Sequence, residues 1–454
     1  MPDLLIHPAS QPLVGSVPVP GDKSIAHRAI LLAGIATGKS RIAGGALGED
    51  NVSTLGALRA MGVRSTETEG EITIEGVGLR GLRAPDGPID CGNSGTTMRL
   101  LSGVLAAQRF QAELIGDASL SRRPMGRVAK PLRLRGARIE GRIDPKKPGD
   151  ITAPLVIGPL PEPHELSAIE YDLPVASAQV KSALLLSGLY AAGSTYVKEP
   201  VVSRDHSERM LAALGVPVRA AGAVVELDGP SWSGVLPAFS IDVPGDISTA
   251  AFLIVAAQIV PDSRVDVRRV GLNPTRTGLL EILAEMGGSI EAEAKGDELG
   301  EPIGVLRAAA AKLKGVRTGG ERVTRAIDEV PILCALAARA NGRTEIMDAA
   351  ELRVKESDRI ATMASVLDAF GVSVEERKDG LAIEGIPDRP LKAADVASRG
   401  DHRVAMTAAV LGLVADGPTR VRDVGCIATS FPRFAGTMRA LGARVEVVKS
   451  EGEG

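Results

Sequence analysis

The long cations of this chain recur beside small polar residues. Lys23, Ser24 and Arg28 stand together, Ser24 and Arg28 four residues apart and so on one helical face. Arg123 lies in Ser121-Arg122-Arg123-Pro124 and Arg204 in Ser203-Arg204-Asp205-His206. Lys355, Glu356 and Arg359 fall in Leu352-Arg353-Val354-Lys355-Glu356-Ser357-Asp358-Arg359, where Lys355 and Arg359 are again four apart, and Arg403 completes the set. Arginine forks suit carboxylates and phosphates, and lysine serves as a mobile point charge. Any one of these cations alone reads as a solvated surface charge. Gathered at equivalent places in a chain of net charge -3, they point to a small, multiply anionic ligand. Asp328 and Glu356 are the carboxylates placed for proton transfer, and their plainer roles are a helix N-cap and a salt-bridge partner. Cations around a carboxylate favour its ionised form, which suits a base; an acid role for Glu356 requires burial or the charge of a substrate.

The elements that position these residues form two interleaved six-fold repeats. A pattern of apolar residues closed by glycine recurs at Gly62, Gly136, Gly215, Gly287, Gly371 and Gly442, as in Leu58-Arg59-Ala60-Met61-Gly62-Val63. Each copy reads as a helix stopped by a left-handed glycine and followed by a strand. Between the copies lie helices apolar all round, hence buried, from about Ile25, Thr97, Val180, Thr249, Val330 and Val404. Gly38, Gly193 and Gly342 are expected to end three of them. Their N-termini carry Asp22-Lys23-Ser24, Asn93-Ser94-Gly95-Thr96, Ser177-Ala178-Gln179, Asp246-Ile247-Ser248, Asp328-Glu329 and Asp401-His402-Arg403. Ser, Asp and Asn there are ordinary caps, the expected role of Asp246 and Ser248. Lys23, Arg28 and Arg403 in first turns oppose the helix macrodipole, which makes sense if an anion lies between. The chain thus reads as six α/β units of about 75 residues, three per half.

Composition excludes much else. Aromatics are 2% of the 454 residues, too few for stacking platforms on single-stranded nucleic acid, and no basic stretch stands out. Cys91, Cys334 and Cys426 are far apart and odd in number, which fits reduced thiols rather than disulfides. The apolar run from Ala250 to Val260 is too short to span a bilayer, and the first residues lack the features of a cleaved leader. No nucleic-acid or membrane partner and a cytoplasmic location are expected. Thr37-Gly38-Lys39-Ser40 looks like part of a phosphate-binding loop, but Ala33 breaks that pattern and the segment ends a helix instead of opening one. The five histidines show no metal spacing, and His27 and His402 serve either a ligand or a structural hydrogen bond.

Val19-Pro20-Gly21-Asp22-Lys23-Ser24 returns, altered, as Val243-Pro244-Gly245-Asp246-Ile247-Ser248. Pro20-Gly21-Asp22-Lys23-Ser24-Ile25-Ala26-His27-Arg28, Gly92-Asn93-Ser94-Gly95-Thr96, the Leu352–Arg359 segment and Gly400-Asp401-His402-Arg403-Val404-Ala405-Met406 resemble, in order, the 5-enolpyruvylshikimate-3-phosphate synthase family across nearly the whole chain. The resemblance implies two similar domains, each of three βαβαββ-type units around buried parallel helices, with two crossings near the Val-Pro-Gly-Asp copies. One domain would span 22–244; the other would combine 1–21 with 245–454. It also implies transfer of the enolpyruvyl group of phosphoenolpyruvate to the 5-hydroxyl of shikimate 3-phosphate, through a tetrahedral adduct, without metal or organic cofactor. A monomer is expected.

By match to the family, Lys23, Ser24, Arg28, Ser177, Gln179, Arg204, Asp328 and Lys355 would hold shikimate 3-phosphate. Lys23, Asn93, Gly95, Arg123, Gln179, Arg359 and Arg403 would hold phosphoenolpyruvate. Asp328 would accept the hydroxyl proton, Glu356 protonate the methylene carbon, and Lys23 assist at the bridging phosphate oxygen. Departures from the pattern are Ala178 where many members have serine, Thr429 where many have lysine, and Ser203-Arg204-Asp205-His206 in place of a segment that commonly ends in tyrosine. Together they resemble the family's divergent second class, and Gly95 leaves open the space where an alanine methyl crowds the inhibitor glyphosate; intermediate sensitivity is expected. The related UDP-N-acetylglucosamine enolpyruvyl transferases carry Lys-Asn where this chain has Lys23-Ser24, and a loop cysteine where it has Gly116-Asp117-Ala118-Ser119. A non-enzymatic repeat scaffold would scatter its charges instead of gathering them at helix starts.

Overall fold

Among the described residues, six buried helices and six four-stranded sheets organise the chain. The structure is a computed structural model that describes residues 2–44, 48–144 and 147–449. The buried helices are α1 (Lys23–Ile35), α2 (Gly95–Leu105), α3 (Ala178–Gly188), α4 (Ile247–Ile259), α5 (Val330–Arg339) and α6 (His402–Gly412). A second helix precedes each repeat glycine, for example Glu49–Ala60 before Gly62 and Arg359–Ala369 before Gly371. All six repeat glycines have positive φ, from +74° to +106°, where a side chain would be strained.

Each sheet belongs to one repeat. Ile89–Asp90 runs parallel to Ala112–Ile115, with α2 between them in sequence, and the hairpin of Ile139–Ile143 and Ile151–Ile157 completes the sheet antiparallel. Three sheets borrow a strand from a distant part of the chain; in one, Val14–Pro18 pairs parallel with Arg264–Gly271. Ser240–Asp242 pairs parallel with Thr37–Ala43, and Pro2–Ile6 lies between Thr419–Arg422 and Val445–Lys449.

The chain divides into two compact units, one of residues 21–244 with 297–301, the other of 2–20, 245–296 and 302–449. Each has its own apolar core. In the first, α2 approaches α3 so closely that a Cβ on Gly103 would lie 2.3 Å from the Ala183 carbonyl oxygen. In the second, every residue of α4 is buried. The small unit-exchanging segment 297–301 was not legible in the sequence. It is the tip of a hairpin whose Glu301, fully buried, pairs with His206 Nδ1 at 2.8 Å.

The two Val-Pro-Gly-Asp copies carry the crossings, and each aspartate N–H is satisfied by the other copy's proline carbonyl: Asp22 N–H donates to Pro244 and Asp246 N–H to Pro20, both at 2.8 Å. A Cβ on Gly21 would meet the Gly44 oxygen at 2.9 Å, and one on Gly245 the Val19 side chain at 2.8 Å, so both glycines are set by close backbone approach.

Three glycines behave differently from the sequence expectation. α1, α3 and α5 stop at Ile35, Gly188 and Arg339, so Gly38, Gly193 and Gly342 lie beyond the helix ends. Gly38 is already in the strand Thr37–Ala43, and Gly342 leads directly into Arg343–Ile346. Among the described residues, no helix is long and apolar enough to cross a membrane, and no group of three or more His, Cys, Asp or Glu is arranged to hold a metal ion.

Candidate active site

Each unit gathers candidate residues at the N-termini of its buried helices. In the unit of residues 21–244, Asp22 caps α1 by accepting from Ser24 N at 2.7 Å and Ile25 N at 3.1 Å. This fixes Lys23 and Ser24 at the helix mouth, with Lys23 Nζ 3.5 Å from Asp50 Oδ2. Arg28 opens the second turn, not the first. Its buried guanidinium donates back to the Ser24 carbonyl at 2.9 Å, to Ser207 Oγ at 2.8 Å and to Ser182 Oγ at 2.7 Å. Burial pushes Arg28 down to about 10, so it remains a cation at neutral pH. His27 is pushed down to about 3 by burial and by Lys23 and Arg28; neutral and bonded to Thr54 Oγ1 at 2.7 Å, it is a structural residue.

α2 and α3 carry a second set of contacts. Ser94 and Ser177 cap them through Thr97 N at 3.1 Å and Val180 N at 3.4 Å. Arg123 Nη2 donates to Asn93 Oδ1 at 2.6 Å, and Asn93 Nδ2 donates to Asp117 at 2.6 Å. Gln179 accepts from Arg99 Nη1 at 2.6 Å and donates to Thr96 Oγ1 at 2.8 Å. Arg99 was missed by sequence reasoning. It is the one charged residue in the helix Gly95–Leu105, four residues after Gly95, and that anomaly was the available signal. Burial, then Arg123 and Arg127, push Arg99 down to about 10. Arg204 lies half-buried ahead of the helix His206–Ala213.

In the other unit, Arg359 is the centre. It is 1% exposed and reaches three carboxylates: Asp401 Oδ2 at 2.8 Å, Glu356 Oε2 at 2.6 Å and Asp328 Oδ1 at 3.5 Å. Burial alone would lower Arg359, but Glu356, Asp401 and Asp328 outweigh it and hold the guanidinium above its ordinary value. Arg403 donates to the Asp328 carbonyl at 2.8 Å and lies 3.9 Å from its carboxylate. Asp401 caps α6 at Arg403 N, 3.0 Å.

Three local readings change. Asp328 is not the N-cap of α5: Glu329 holds that position, without a side-chain cap bond, and Asp328 faces Arg359 and Arg403. Glu356 pairs with Arg359, not Lys355, which pairs with Glu351 at 2.7 Å. Lys355 and Arg359 do not share a helix, because Asp358 caps a new one that begins at Arg359 and leaves Lys355 in extended backbone. At the lysine departure, the Thr429 hydroxyl donates to the Cys426 carbonyl at 2.8 Å and brings no charge.

Helix N-terminal N–H groups, arginine forks and a lysine suit phosphate and carboxylate oxygens, while Asp328 and Glu356 supply sites for a proton. A family model described as EPSP synthase (3-phosphoshikimate 1-carboxyvinyltransferase) matches residues 8–438. The 3-phosphoshikimate 1-carboxyvinyltransferase of Geobacter sulfurreducens is 51% identical over 450 residues, covering 98% of this chain and all of that protein. That of Acidithiobacillus ferrooxidans is 48% identical over 447 residues, 98% of this chain and 99% of its own length. A solved EPSP synthase from Acinetobacter baumannii superposes with a TM-score of 0.89 at 43% identity, covering 99% of this chain and 100% of that one.

Proposed function

The chain belongs to the EPSP synthase family, and from that premise we propose how its side chains divide the family's reaction. The enolpyruvyl group of phosphoenolpyruvate passes to the 5-hydroxyl of shikimate 3-phosphate, and inorganic phosphate leaves. Shikimate 3-phosphate is held by Lys23, Ser24, Arg28, Ser177, Gln179, Arg204, Asp328 and Lys355. Phosphoenolpyruvate is held by Lys23, Asn93, Gly95, Arg123, Gln179, Arg359 and Arg403. The observation that carries this reading is the placing of cations beside buried-helix N-termini, Lys23 in the first turn of α1, Arg403 in that of α6 and Arg123 on Asn93 ahead of α2, in a chain of net charge -3.

In the addition step the hydroxyl oxygen bonds to C2 of phosphoenolpyruvate while Asp328 takes the hydroxyl proton and Glu356 delivers a proton to C3. In the elimination step a C3 proton returns to Glu356, the C2–C3 double bond re-forms as the C2–O bond to phosphate breaks, Lys23 stabilises the charge on the bridging oxygen, and the proton held by Asp328 leaves with the phosphate. Glu356 is exposed and pairs with Arg359 at 2.6 Å.

Phosphate release tests the assignment. It should follow mixing with phosphoenolpyruvate and shikimate 3-phosphate and be absent with UDP-N-acetylglucosamine; the reverse pattern, or no release with either acceptor, would overturn it.

Gly95 gives a second test. A Cβ there would stand 2.9 Å from Arg99 Nη1 and 3.3 Å from Arg123 Nη1, both flexible side-chain ends that can yield. The methyl would occupy space beside the phosphoenolpyruvate contacts, where we place glyphosate. Gly95→Ala should raise the glyphosate inhibition constant by about ten-fold or more, a loss of about 1.4 kcal/mol, with a smaller rise in KM for phosphoenolpyruvate. An unchanged inhibition constant would remove the crowding argument.

A further inference from the structure

Beneath the candidate residues of the 21–244 unit lies a buried ionic cluster that the reaction does not use. Lys181 Nζ stands 2.6 Å from Glu199 Oε2 and 2.7 Å from Glu208 Oε1, and all three side chains are at most 6% exposed. Burying ions is costly unless they are paired and hydrogen-bonded, and an apolar filling would serve stability as well. The hydrogen bonds indicate what the charges do. Glu199 Oε1 accepts from Ser203 Oγ at 2.6 Å and from Ser177 N at 3.4 Å, and its Oε2 accepts from Ser203 N at 3.1 Å. One carboxylate therefore ties the capping residue of α3 to the segment that carries Arg204. On the other side, Ser207 adjoins Glu208 in sequence; its hydroxyl donates to Ser182 at 2.7 Å, and both hydroxyls accept from Arg28. Lys181 and Arg28 balance Glu199 and Glu208. Burial would discharge Lys181, but Glu208 and Glu199 more than offset it and keep the ammonium charged.

We propose that Lys181 and Glu199 are positioning residues for shikimate 3-phosphate, holding Ser177 and Arg204 in register with Arg28. This rests on the reading that those three residues bind that substrate. Without Glu199 the Ser203 segment loses both of its tethers to the cluster, and Arg204 moves with it. Misplacement of about 1 Å at a binding group carries large kinetic penalties.

The test compares Glu199→Gln, the double variant Lys181→Met/Glu199→Leu, and Arg204→Ala. The double variant removes one charge of each sign but also takes from the buried Glu208 its 2.7 Å partner. Stranding that carboxylate should lower its unfolding temperature, so KM is compared below that transition. Both Glu199 variants should raise KM for shikimate 3-phosphate about ten-fold or more, with KM for phosphoenolpyruvate within about two-fold of wild type. A purely structural cluster would give a folded double variant of lowered stability with a wild-type KM, and that result overturns the inference. Arg204→Ala separates the two levels. A wild-type KM for shikimate 3-phosphate there overturns the binding assignment itself; a raised KM there with unchanged Glu199 variants overturns the positioning role alone. Should the double variant fail to fold, Ser203→Ala removes the 2.6 Å tether without stranding a charge. It must still raise that KM, and a wild-type value sinks the proposal.

Discussion

Asp328→Ala should lower kcat by about 10²–10⁴-fold, the range spanned by loss of a positioned general base, while leaving the protein folded. The expectation of a kinetic rather than structural loss follows from how the neighbours are held. Arg359 keeps Asp401 and Glu356, at 2.8 Å and 2.6 Å, when Asp328 is truncated. Arg403 keeps its 2.8 Å bond because the acceptor is the Asp328 backbone carbonyl, which alanine also provides. KM for phosphoenolpyruvate should therefore change little. KM for shikimate 3-phosphate should rise modestly as one contact disappears. Asp328→Asn sharpens the test: it retains volume and a hydrogen-bonding oxygen but accepts no proton at neutral pH, so it should be about as slow as alanine. A near-normal turnover in the alanine variant would remove Asp328 as the proton acceptor. A near-normal turnover in the asparagine variant alone would reduce it to a positioning contact.

The parts of this site that were legible in the sequence share one property: their signal is local. Asp22, Ser94, Ser177 and Asp401 announce helix starts because a side-chain oxygen must satisfy orphan N–H groups within three residues. The repeat glycines announce helix ends because positive φ is intolerant of other residues. Six sheets follow from the same periodicity. What was not legible depends on contacts distant in sequence. Lys181 sits inside a buried helix as a single charge, and nothing local tells that Glu199 and Glu208 lie within 2.7 Å of it. Ser248, read as part of an ordinary cap, also hydrogen-bonds the buried Glu329 and accepts from Arg276 Nη2 at 2.8 Å. The break between Lys355 and Arg359 escaped the spacing argument, because four residues apart implies one face only if the helix is continuous.

Arg359→Met should cost about 3–5 kcal/mol of stability at neutral pH, the usual penalty for stranding a buried charge, and abolish turnover. Asp401 is fully buried; it bonds Arg359 through Nε at 2.8 Å, accepts from Ser357 Oγ at 3.0 Å and caps α6. Burial by itself would raise its pKa. The Arg359 charge and hydrogen bonds, with smaller help from His402 and the Arg403 N–H, reverse this and hold it below the usual carboxylate range. The sign of the pH dependence follows. A carboxylate depressed in the folded state contributes stability that is fully present above its unfolded pKa, about 3.9, and is lost as pH falls through the lower folded value. With methionine at 359 the burial effect is left largely unopposed, the folded pKa of Asp401 rises above the unfolded one, and protonation then relieves the strain. The gap between wild type and variant should be widest at neutral pH and narrow on acidification, where wild type loses its pair and the variant sheds its stranded charge. Thermal unfolding followed from pH 7 down through about pH 4, near the unfolded carboxylate pKa, and on below it separates the two arms: the variant's relief comes first, and the wild type's loss follows below about pH 4. Arg359→Lys restores one charge but not the fork that serves three carboxylates, so it should recover part of the stability and little of the turnover. Equal unfolding temperatures for wild type and Arg359→Met at neutral pH would mean that Asp401 is neutralised by something other than Arg359.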